Sequence, residues 1–130
     1  MRKPNLFIVG HPKSGTTALH SFLNQHPDIS MSEMKEPSYF CKDLHQESDR
    51  FHGGRRFFEI REEQAYLKLF SKSGNARIVG ESSASVYLYS KRAAKEIYRF
   101  NPDAKIIIML RNPADFLHSL HNQFLILGYE

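Results

Sequence analysis

The feature that most constrains this fold is a short apolar run that leads into a glycine-bounded loop. Residues 6–9 read LFIV, and GHPKSGTTAL follows them over residues 10–19. An apolar run of this length that ends at a glycine predicts a buried strand. Ser14 or Thr16 can begin a helix that stops near residue 26. The pattern therefore predicts a strand, a tight loop and a helix.

The same alternation of apolar runs and helical patterns continues along the chain. We expect further strands at residues 29–31, 76–80 and 106–110, helices at 61–71, 86–100 and from 113 to about 128, and a loop at 42–54. Such alternation is typical of a parallel sheet covered by helices. The predicted class is α/β, a P-loop-containing three-layer α/β/α domain with a central parallel sheet. Residues 106–110 are apolar throughout, as expected of a central strand.

Polar residues follow each predicted strand. In parallel sheets, ligands bind beyond the carboxyl ends of the strands. We therefore expect four polar sets to open onto one edge of the sheet: residues 11–17, 33–38, 81–83 and 111–112.

The loop after the first strand has the features of an anion site. Free backbone N–H groups and the dipole of the following helix converge at such a turn. Gly15 allows close backbone approach, and Thr16 and Thr17 add hydroxyl donors. The pattern G-x-x-x-x-G-K-[ST] of nucleotide triphosphatases fails at Thr16, where its lysine should stand. The loop's cation is instead Lys13.

No metal partner is evident for that loop. The strand-end aspartate that helps to hold magnesium in such enzymes has no counterpart, because the strand at 106–110 is followed by Arg111. An arginine there would repel a metal and attract a second phosphate. These residues predict a metal-free site for a nucleotide with two separate anionic ends.

Composition narrows the classes of partner. The net charge is +4, but the basic residues are scattered, so we expect no nucleic-acid partner. A single cysteine excludes an internal disulfide and a Cys/His zinc cluster, and it fits a reducing compartment. The first apolar run is too short for a signal peptide or a membrane span. We expect a cytoplasmic protein.

Two of these segments resemble the sulfotransferases that use 3′-phosphoadenosine 5′-phosphosulfate (PAPS). PKSGTTAL is similar to the loop of that family that binds the 5′-phosphosulfate, and LRNPADFLHSL is similar to its 3′-phosphate motif. NQHPDI and KEPSYF resemble segments of the branch that includes bacterial and carbohydrate sulfotransferases. The resemblance runs from about residue 5 to residue 128.

The resemblance implies a role for particular residues. The 5′ end of PAPS would be bound by five residues of the first loop, and the 3′-phosphate by two residues of the second motif: Lys13, Ser14, Gly15, Thr16 and Thr17, then Arg111 and Ser119. Lys13 would also stabilise the leaving phosphate during in-line sulfuryl transfer. Glu36 in KEPSYF stands where the carbohydrate branch has its proposed general base. No metal is required.

A second acidic residue remains open as the base. Glu33 lies where the tyrosyl-protein branch carries an acid, so Glu36 and Glu33 are alternatives. The acceptor is equally open, since a hydroxyl of a sugar, a lipid, a small molecule or a peptide tyrosine would serve. Six aromatic residues are expected in the core rather than at an acceptor surface: Phe57, Phe58, Tyr66, Tyr87, Tyr89 and Tyr98.

The chain is short for this family. We expect residues 1–130 to form one domain that corresponds to the N-terminal portion of the usual length, as part of a larger protein or as a naturally shortened relative. Such an incomplete domain would have an exposed sheet edge that favours self-association. Activity of these 130 residues alone is an open question. Two alternatives stand beside a sulfotransferase: a P-loop kinase or other nucleotide-binding protein, and a truncated, non-catalytic PAPS-binding module.

Overall fold

The computed structural model describes residues 2–128, and its elements alternate as expected. The strands are β1 (Leu6–Gly10), β2 (Ile29–Met31), β3 (Ile78–Ser83) and β4 (Lys105–Met109). The helices are α1 (Thr16–Leu23), α2 (Lys42–His52), α3 (Glu63–Lys68), α4 (Ala84–Tyr89), α5 (Ala93–Phe100) and α6 (Pro113–Leu127). The strands form one parallel sheet in the order β2-β3-β1-β4. The predicted α/β class is confirmed.

Alternate residues of β1 face two separate apolar clusters, which gives the domain its three layers. Phe7 and Val9 pack into a cluster with side chains of α3, α4 and α5, whereas Leu6 and Ile8 pack with Met31 against side chains of α1. Successive side chains of a strand point to opposite faces of its sheet. The β1 strand is therefore buried on both sides, and it fixes the position of the loop that follows it.

The expectation of a loop at residues 42–54 was wrong, because most of this stretch forms α2. Its composition is polar, yet its inward face carries the buried His45 and the half-buried Leu44. The helix ends at Gly53, which adopts the left-handed conformation with φ of 68° that a helix C-terminus favours. Asp49 also receives two hydrogen bonds from Arg61, at 3.0 and 2.8 Å. A tertiary contact thus supports a helix whose apolar stripe is narrow.

The single helix expected at residues 86–100 is in fact two helices, α4 and α5. Ser90 breaks it, because its Oγ accepts hydrogen bonds from the backbone N–H groups of Arg92 and Ala93 and so caps α5. Asp43 of α2 accepts hydrogen bonds from Ser90 Oγ at 2.6 Å and from the backbone N–H of Lys91 at 2.9 Å. A contact distant in sequence therefore sets this break.

The strand at 106–110 was expected to be central, but β4 lies at the edge of the sheet. It pairs with β1 alone among the described residues, and Ile106 and Ile108 are 47% and 58% exposed. The two central strands are β1 and β3. An apolar sequence predicts that a strand is buried, but it does not show which strands or helices cover it. The exposed edge agrees with the prediction of an incomplete sheet.

The longest helix of the described residues, α6, has clear signals at both ends. Asn112 Oδ1 accepts a hydrogen bond from the N–H of Ala114 at 2.9 Å, Pro113 occupies the first turn, and Gly128 ends the helix with φ of 76°. Between residues 2 and 128, no helix combines the length and apolarity needed to cross a membrane.

Gly10 closes β1 against β4 immediately before the loop. A Cβ atom at this position would lie 2.2 Å from the carbonyl oxygen of Met109, which is backbone and cannot rotate away. We expect Gly10→Ala to lower the free energy of unfolding by about 1–3 kcal/mol, measured by urea denaturation, because the two strands must separate. Gly80→Ala is the matched control.

The control differs in what the new methyl group would meet. At Gly80 the nearest heavy atom is Met31 Sδ, 2.8 Å away at the far end of a flexible side chain. This variant should lose less stability than Gly10→Ala. An equal loss in the two variants would contradict the role given to the contact between Gly10 and Met109.

Candidate functional site

The loop between β1 and α1 presents hydrogen-bond donors that have no acceptor within the helix. Gly15 precedes α1 with φ of 84° and offers no side-chain cap, and the first turn of α1 contains no acidic residue. The first N–H groups of a helix have no partner within it. Ser14 Oγ is buried and has no hydrogen-bond partner among the described residues. These donors and the helix dipole suit an anion.

Lys13 holds an unusual backbone conformation in the middle of this loop. Its φ is 62°, in the left-handed region that non-glycine residues rarely adopt. Its side chain is exposed and forms no ion pair within residues 2–128. Its carbonyl oxygen accepts a hydrogen bond from Arg111 Nη1 at 2.9 Å. The two predicted phosphate-binding turns are therefore in direct contact.

Ser119 lies on α6 beyond Arg111. Lys13, Arg111 and Ser119 line one open cavity of about 340 Å³. Lys13 also lines a second cavity of about 430 Å³ together with Gly15, Thr16 and Thr17. Apart from Ser14, whose Oγ is buried, the predicted residues of the two phosphate motifs line two adjoining spaces that share Lys13.

Glu36 lies beyond the carboxyl end of β2, next to the end of β3. Its backbone N–H donates to the carbonyl oxygen of Ser82 at 3.0 Å, and its φ is 49°. Its exposed side chain borders a cavity of about 200 Å³ that Thr16 and Thr17 also line. It also borders a cavity of about 400 Å³ on its other side, with Arg56 and Phe57. Glu36 thus stands between the loop and a separate surface pocket.

Glu33, the alternative acid, has a different environment. Its carboxylate forms an exposed ion pair with Lys72, a residue that lies outside these cavities. The geometry favours Glu36 over Glu33 as the acid that faces the loop.

Four cavities therefore follow one another along the carboxyl edge of the sheet. Each shares a residue with the next: Lys13 joins the first two, Thr16 and Thr17 join the second to the third, and Glu36 joins the third to the fourth. The expectation that the polar sets share one edge of the sheet holds for members of residues 11–17, 33–38 and 111–112, whereas of residues 81–83 only Ser82 lines one of these cavities.

His20, which the sequence analysis does not single out, lines the third cavity. It is buried, and its Nδ1 has no hydrogen-bond partner in the described part of the chain. Burial lowers the pKa of His20, so the imidazole is favoured in its neutral form. A lone histidine gives no signal in a sequence, because its place in a cavity depends on β3 and on the loop.

Glu81 is the most buried acidic residue of the described chain, although sequence reasoning placed it at the open edge. It is 0% exposed and accepts hydrogen bonds from Tyr66, Ser83 and Tyr87 at 2.9, 2.7 and 2.5 Å. Burial raises the pKa of Glu81 to about 7, although these three donors oppose that rise by stabilising the carboxylate. The β3 strand continues to Ser83, which carries Glu81 inside the fold.

The aromatic residues divide between core and surface. Tyr66 and Tyr87 are buried, as expected, whereas Phe57, Tyr89 and Tyr98 are more than half exposed, contrary to expectation. Phe57 borders the fourth cavity, and the Arg56 guanidinium lies 5.5 Å from the centre of its ring. An aromatic face beside a cation is thus available next to Glu36. Within residues 2–128, no three His, Cys, Asp or Glu side chains group as metal ligands.

Comparison with known proteins identifies the family. A model described as "Sulfotransferase family" matches residues 4–125. Mouse carbohydrate sulfotransferase 15 is 30% identical over an alignment 148 positions long, gaps included, which covers 89% of this chain and 26% of that protein. Human bifunctional heparan sulfate N-deacetylase/N-sulfotransferase 2 is 35% identical over 120 residues, which cover 91% of this chain and 12% of that protein.

A solved structure agrees with this result over the whole fold. The crystal structure of a sulfotransferase from Alicyclobacillus acidocaldarius superposes with a TM-score of 0.83 at 39% sequence identity, covering 100% of this chain and 53% of that one. The chain thus spans about half of the solved relative and about a quarter or less of the two curated relatives. On the family match, the similarity to these relatives and the shared fold, the chain belongs to the sulfotransferase family.

Proposed function

We propose that this chain carries the donor site and the general base of an enzyme that moves a sulfuryl group from PAPS to a hydroxyl group of a sugar. The observation that supports this most is the succession of cavities from Arg111 and Ser119, past Lys13 and the first loop, to Glu36. A donor with anionic groups at both ends would extend along these cavities. The general base must lie beside the end of the donor that carries the sulfuryl group.

The first loop fits the 5′ end of the donor. Ser14 Oγ and the first N–H groups of α1 are donors without partners in the described chain, and Thr16 and Thr17 add hydroxyls. These groups would bind the phosphosulfate oxygens and orient them along the helix axis. The absence of acidic side chains from the first turn removes a source of repulsion.

The second motif fits the 3′-phosphate. Arg111 donates from Nη1 to the carbonyl oxygen of Lys13, and it also lines the first cavity. A guanidinium can bind two phosphate oxygens side by side. Ser119 adds a hydroxyl donor from α6. Because Arg111 also contacts the first loop, it would hold the two ends of the donor site at a fixed separation.

Glu36 and Lys13 would divide the chemistry between them. PAPS supplies an activated sulfuryl group when it is bound. Glu36 would accept the proton of the acceptor hydroxyl as its oxygen bonds to sulfur. Lys13 would place its ammonium beside the bridging oxygen, which departs with the electron pair of the broken bond. Positioning and charge stabilisation supply most of the rate in transfers of this kind.

A sugar is the acceptor that the fourth cavity suits best. Phe57 is 51% exposed and can stack on a sugar ring, and Arg56 beside it can bind an acidic substituent. The names of the two curated relatives point to carbohydrate and heparan sulfate acceptors. These reactions are those of the relatives. For this chain, the two names support the choice of a sugar as the acceptor.

The test measures transfer of radiolabelled sulfuryl from PAPS to four acceptors: heparan sulfate oligosaccharides, a neutral disaccharide, a simple alcohol and a tyrosine peptide. We expect the highest rate with an oligosaccharide and no dependence on added magnesium. Binding of adenosine 3′,5′-bisphosphate in EDTA should exceed binding of magnesium ATP. Tighter binding of magnesium ATP would favour the kinase alternative, and bisphosphate binding without transfer would favour a non-catalytic module.

Replacing Arg111 tests the 3′-phosphate site directly. We expect Arg111→Ala to weaken adenosine 3′,5′-bisphosphate binding by about 1.5–3 kcal/mol, roughly tenfold to 150-fold in Kd, because a charged hydrogen-bond donor is lost. Titration calorimetry measures the change. Arg2→Ala is the control, since Arg2 is also exposed and also donates to a backbone carbonyl, that of Gly74 at 3.1 Å. An unchanged Kd in Arg111→Ala would contradict the assignment.

A further inference from the structure

The segment of residues 36–40, which carries Glu36, is hydrogen-bonded to the end of β3 and to α4 through every second backbone N–H group. Glu36 N–H donates to Ser82 O at 3.0 Å, and Ser38 N–H donates to Ser83 Oγ at 2.9 Å. Phe40 N–H donates to the hydroxyl oxygen of Tyr87 at 3.4 Å. Two of these three hydrogen bonds are therefore accepted by side-chain hydroxyl groups.

Both hydroxyl groups also donate to the buried carboxylate of Glu81. Ser83 Oγ donates to Oε2 at 2.7 Å, and Tyr87 donates to Oε1 at 2.5 Å. A hydroxyl group has one proton, so donation to Glu81 leaves its oxygen lone pairs to accept a backbone N–H. Glu81 thus sets the direction of both hydrogen bonds that reach the segment.

The segment needs such support because its backbone is strained. Glu36 and Ser38 have φ of 49° and 53°, in the left-handed region, and neither is glycine. Such conformations persist only where the surroundings impose them, and they cluster at functional sites. Ser38 O is held as well, by the His45 ring nitrogen Nε2 at 2.6 Å. The two peptide units on either side of the Ser38 Cα atom are therefore each held by a hydrogen bond.

We propose that Glu81 is a positioning residue that holds Glu36 in place through Ser83 and Tyr87. This inference rests on the proposed function, in which Glu36 is the general base. Glu81 is not itself placed to be that base, since it is fully buried and borders none of the four cavities. Its carboxylate acts on the reaction only through the conformation of residues 36–40.

Tyr66 and Tyr87 form a matched pair for testing this inference. Both are buried tyrosines that donate to the same oxygen of Glu81, Tyr66 at 2.9 Å. Only Tyr87 also accepts a backbone N–H of the segment. Replacement of either by phenylalanine keeps the ring and removes one hydroxyl donor from Glu81, but only Tyr87→Phe releases the Phe40 amide.

The kinetic test compares these variants with Glu81→Gln and Ser83→Ala. We expect Glu81→Gln and Ser83→Ala to lower kcat about tenfold to a hundredfold, because small displacements of a catalytic group are costly. Tyr87→Phe should lower kcat more than Tyr66→Phe, and Kd for adenosine 3′,5′-bisphosphate should stay unchanged. In a Glu36→Gln background, Ser83→Ala should lower kcat by less than about threefold further, because the positioned group has been removed.

An independent test measures amide hydrogen exchange by NMR, without turnover. Exchange at Ser38 should accelerate about tenfold or more in Ser83→Ala, and exchange at Phe40 in Tyr87→Phe, while Tyr66→Phe leaves both unchanged. The proposal is overturned if Ser38 exchange is unchanged in Ser83→Ala, or if Ser83→Ala lowers kcat equally with and without Glu36. Full activity of Glu36→Gln would instead refute the proposed base, and the exchange rates would then decide about the network separately.

Discussion

Glu36→Gln is expected to lower kcat by about a hundredfold to ten-thousandfold while leaving the affinity for adenosine 3′,5′-bisphosphate unchanged. The amide keeps the shape of the side chain but cannot accept the proton of the acceptor hydroxyl, and general-base catalysis contributes a factor of this size. Glu36 borders the third and fourth cavities rather than the two that Lys13 lines, so donor binding should not depend on its charge. Initial rates at saturating PAPS and titration calorimetry measure the two effects.

Glu33→Gln is the control for this prediction. The two residues lie three positions apart, carry the same charge and are both exposed, but Glu33 is paired with Lys72. Its replacement should leave kcat within about threefold of the wild type, since an exposed ion pair contributes little. A larger loss in Glu33→Gln than in Glu36→Gln would exchange the roles of these two acids.

The sequence predicted the strand, loop and helix starts that form the site, because the signals for these elements are local. The apolar run before Gly10, the loop through Thr17 and the Asn112–Pro113 helix start each depend on a few neighbouring residues. The meeting of Arg111 with the first loop followed from one topological rule about the carboxyl ends of parallel strands. Neither inference needed knowledge of side-chain packing.

The predictions that were wrong all concern features that depend on contacts between residues distant in sequence. The break between α4 and α5 depends on Ser90 and on Asp43, 47 residues earlier. The edge position of β4 depends on which strands pair with β1. The Glu81 cluster joins β3, α3 and α4 through hydroxyl groups whose partners no spacing in the sequence reveals. Propensity and periodicity describe single elements, whereas these features arise between elements.

Lys13→Met is the second replacement with a large expected effect. The methionine side chain retains much of the length of lysine and leaves the carbonyl oxygen that receives Arg111, but it removes the only ammonium group of the first loop. We expect kcat to fall about a hundredfold to a thousandfold at saturating PAPS, the size of effect seen when one group that stabilises a developing charge is removed. The loss should exceed the loss of PAPS affinity measured without acceptor.

That difference follows from when the ammonium is needed. The bridging oxygen gains charge only as its bond to sulfur breaks, so the interaction with Lys13 is stronger in the transition state than with bound donor. Lys95→Met, which removes an exposed ammonium from α5, should leave both quantities unchanged. An unchanged kcat beside a loss of PAPS affinity in Lys13→Met would show that Lys13 only binds the nucleotide, and the cation on the leaving group would have to come from elsewhere.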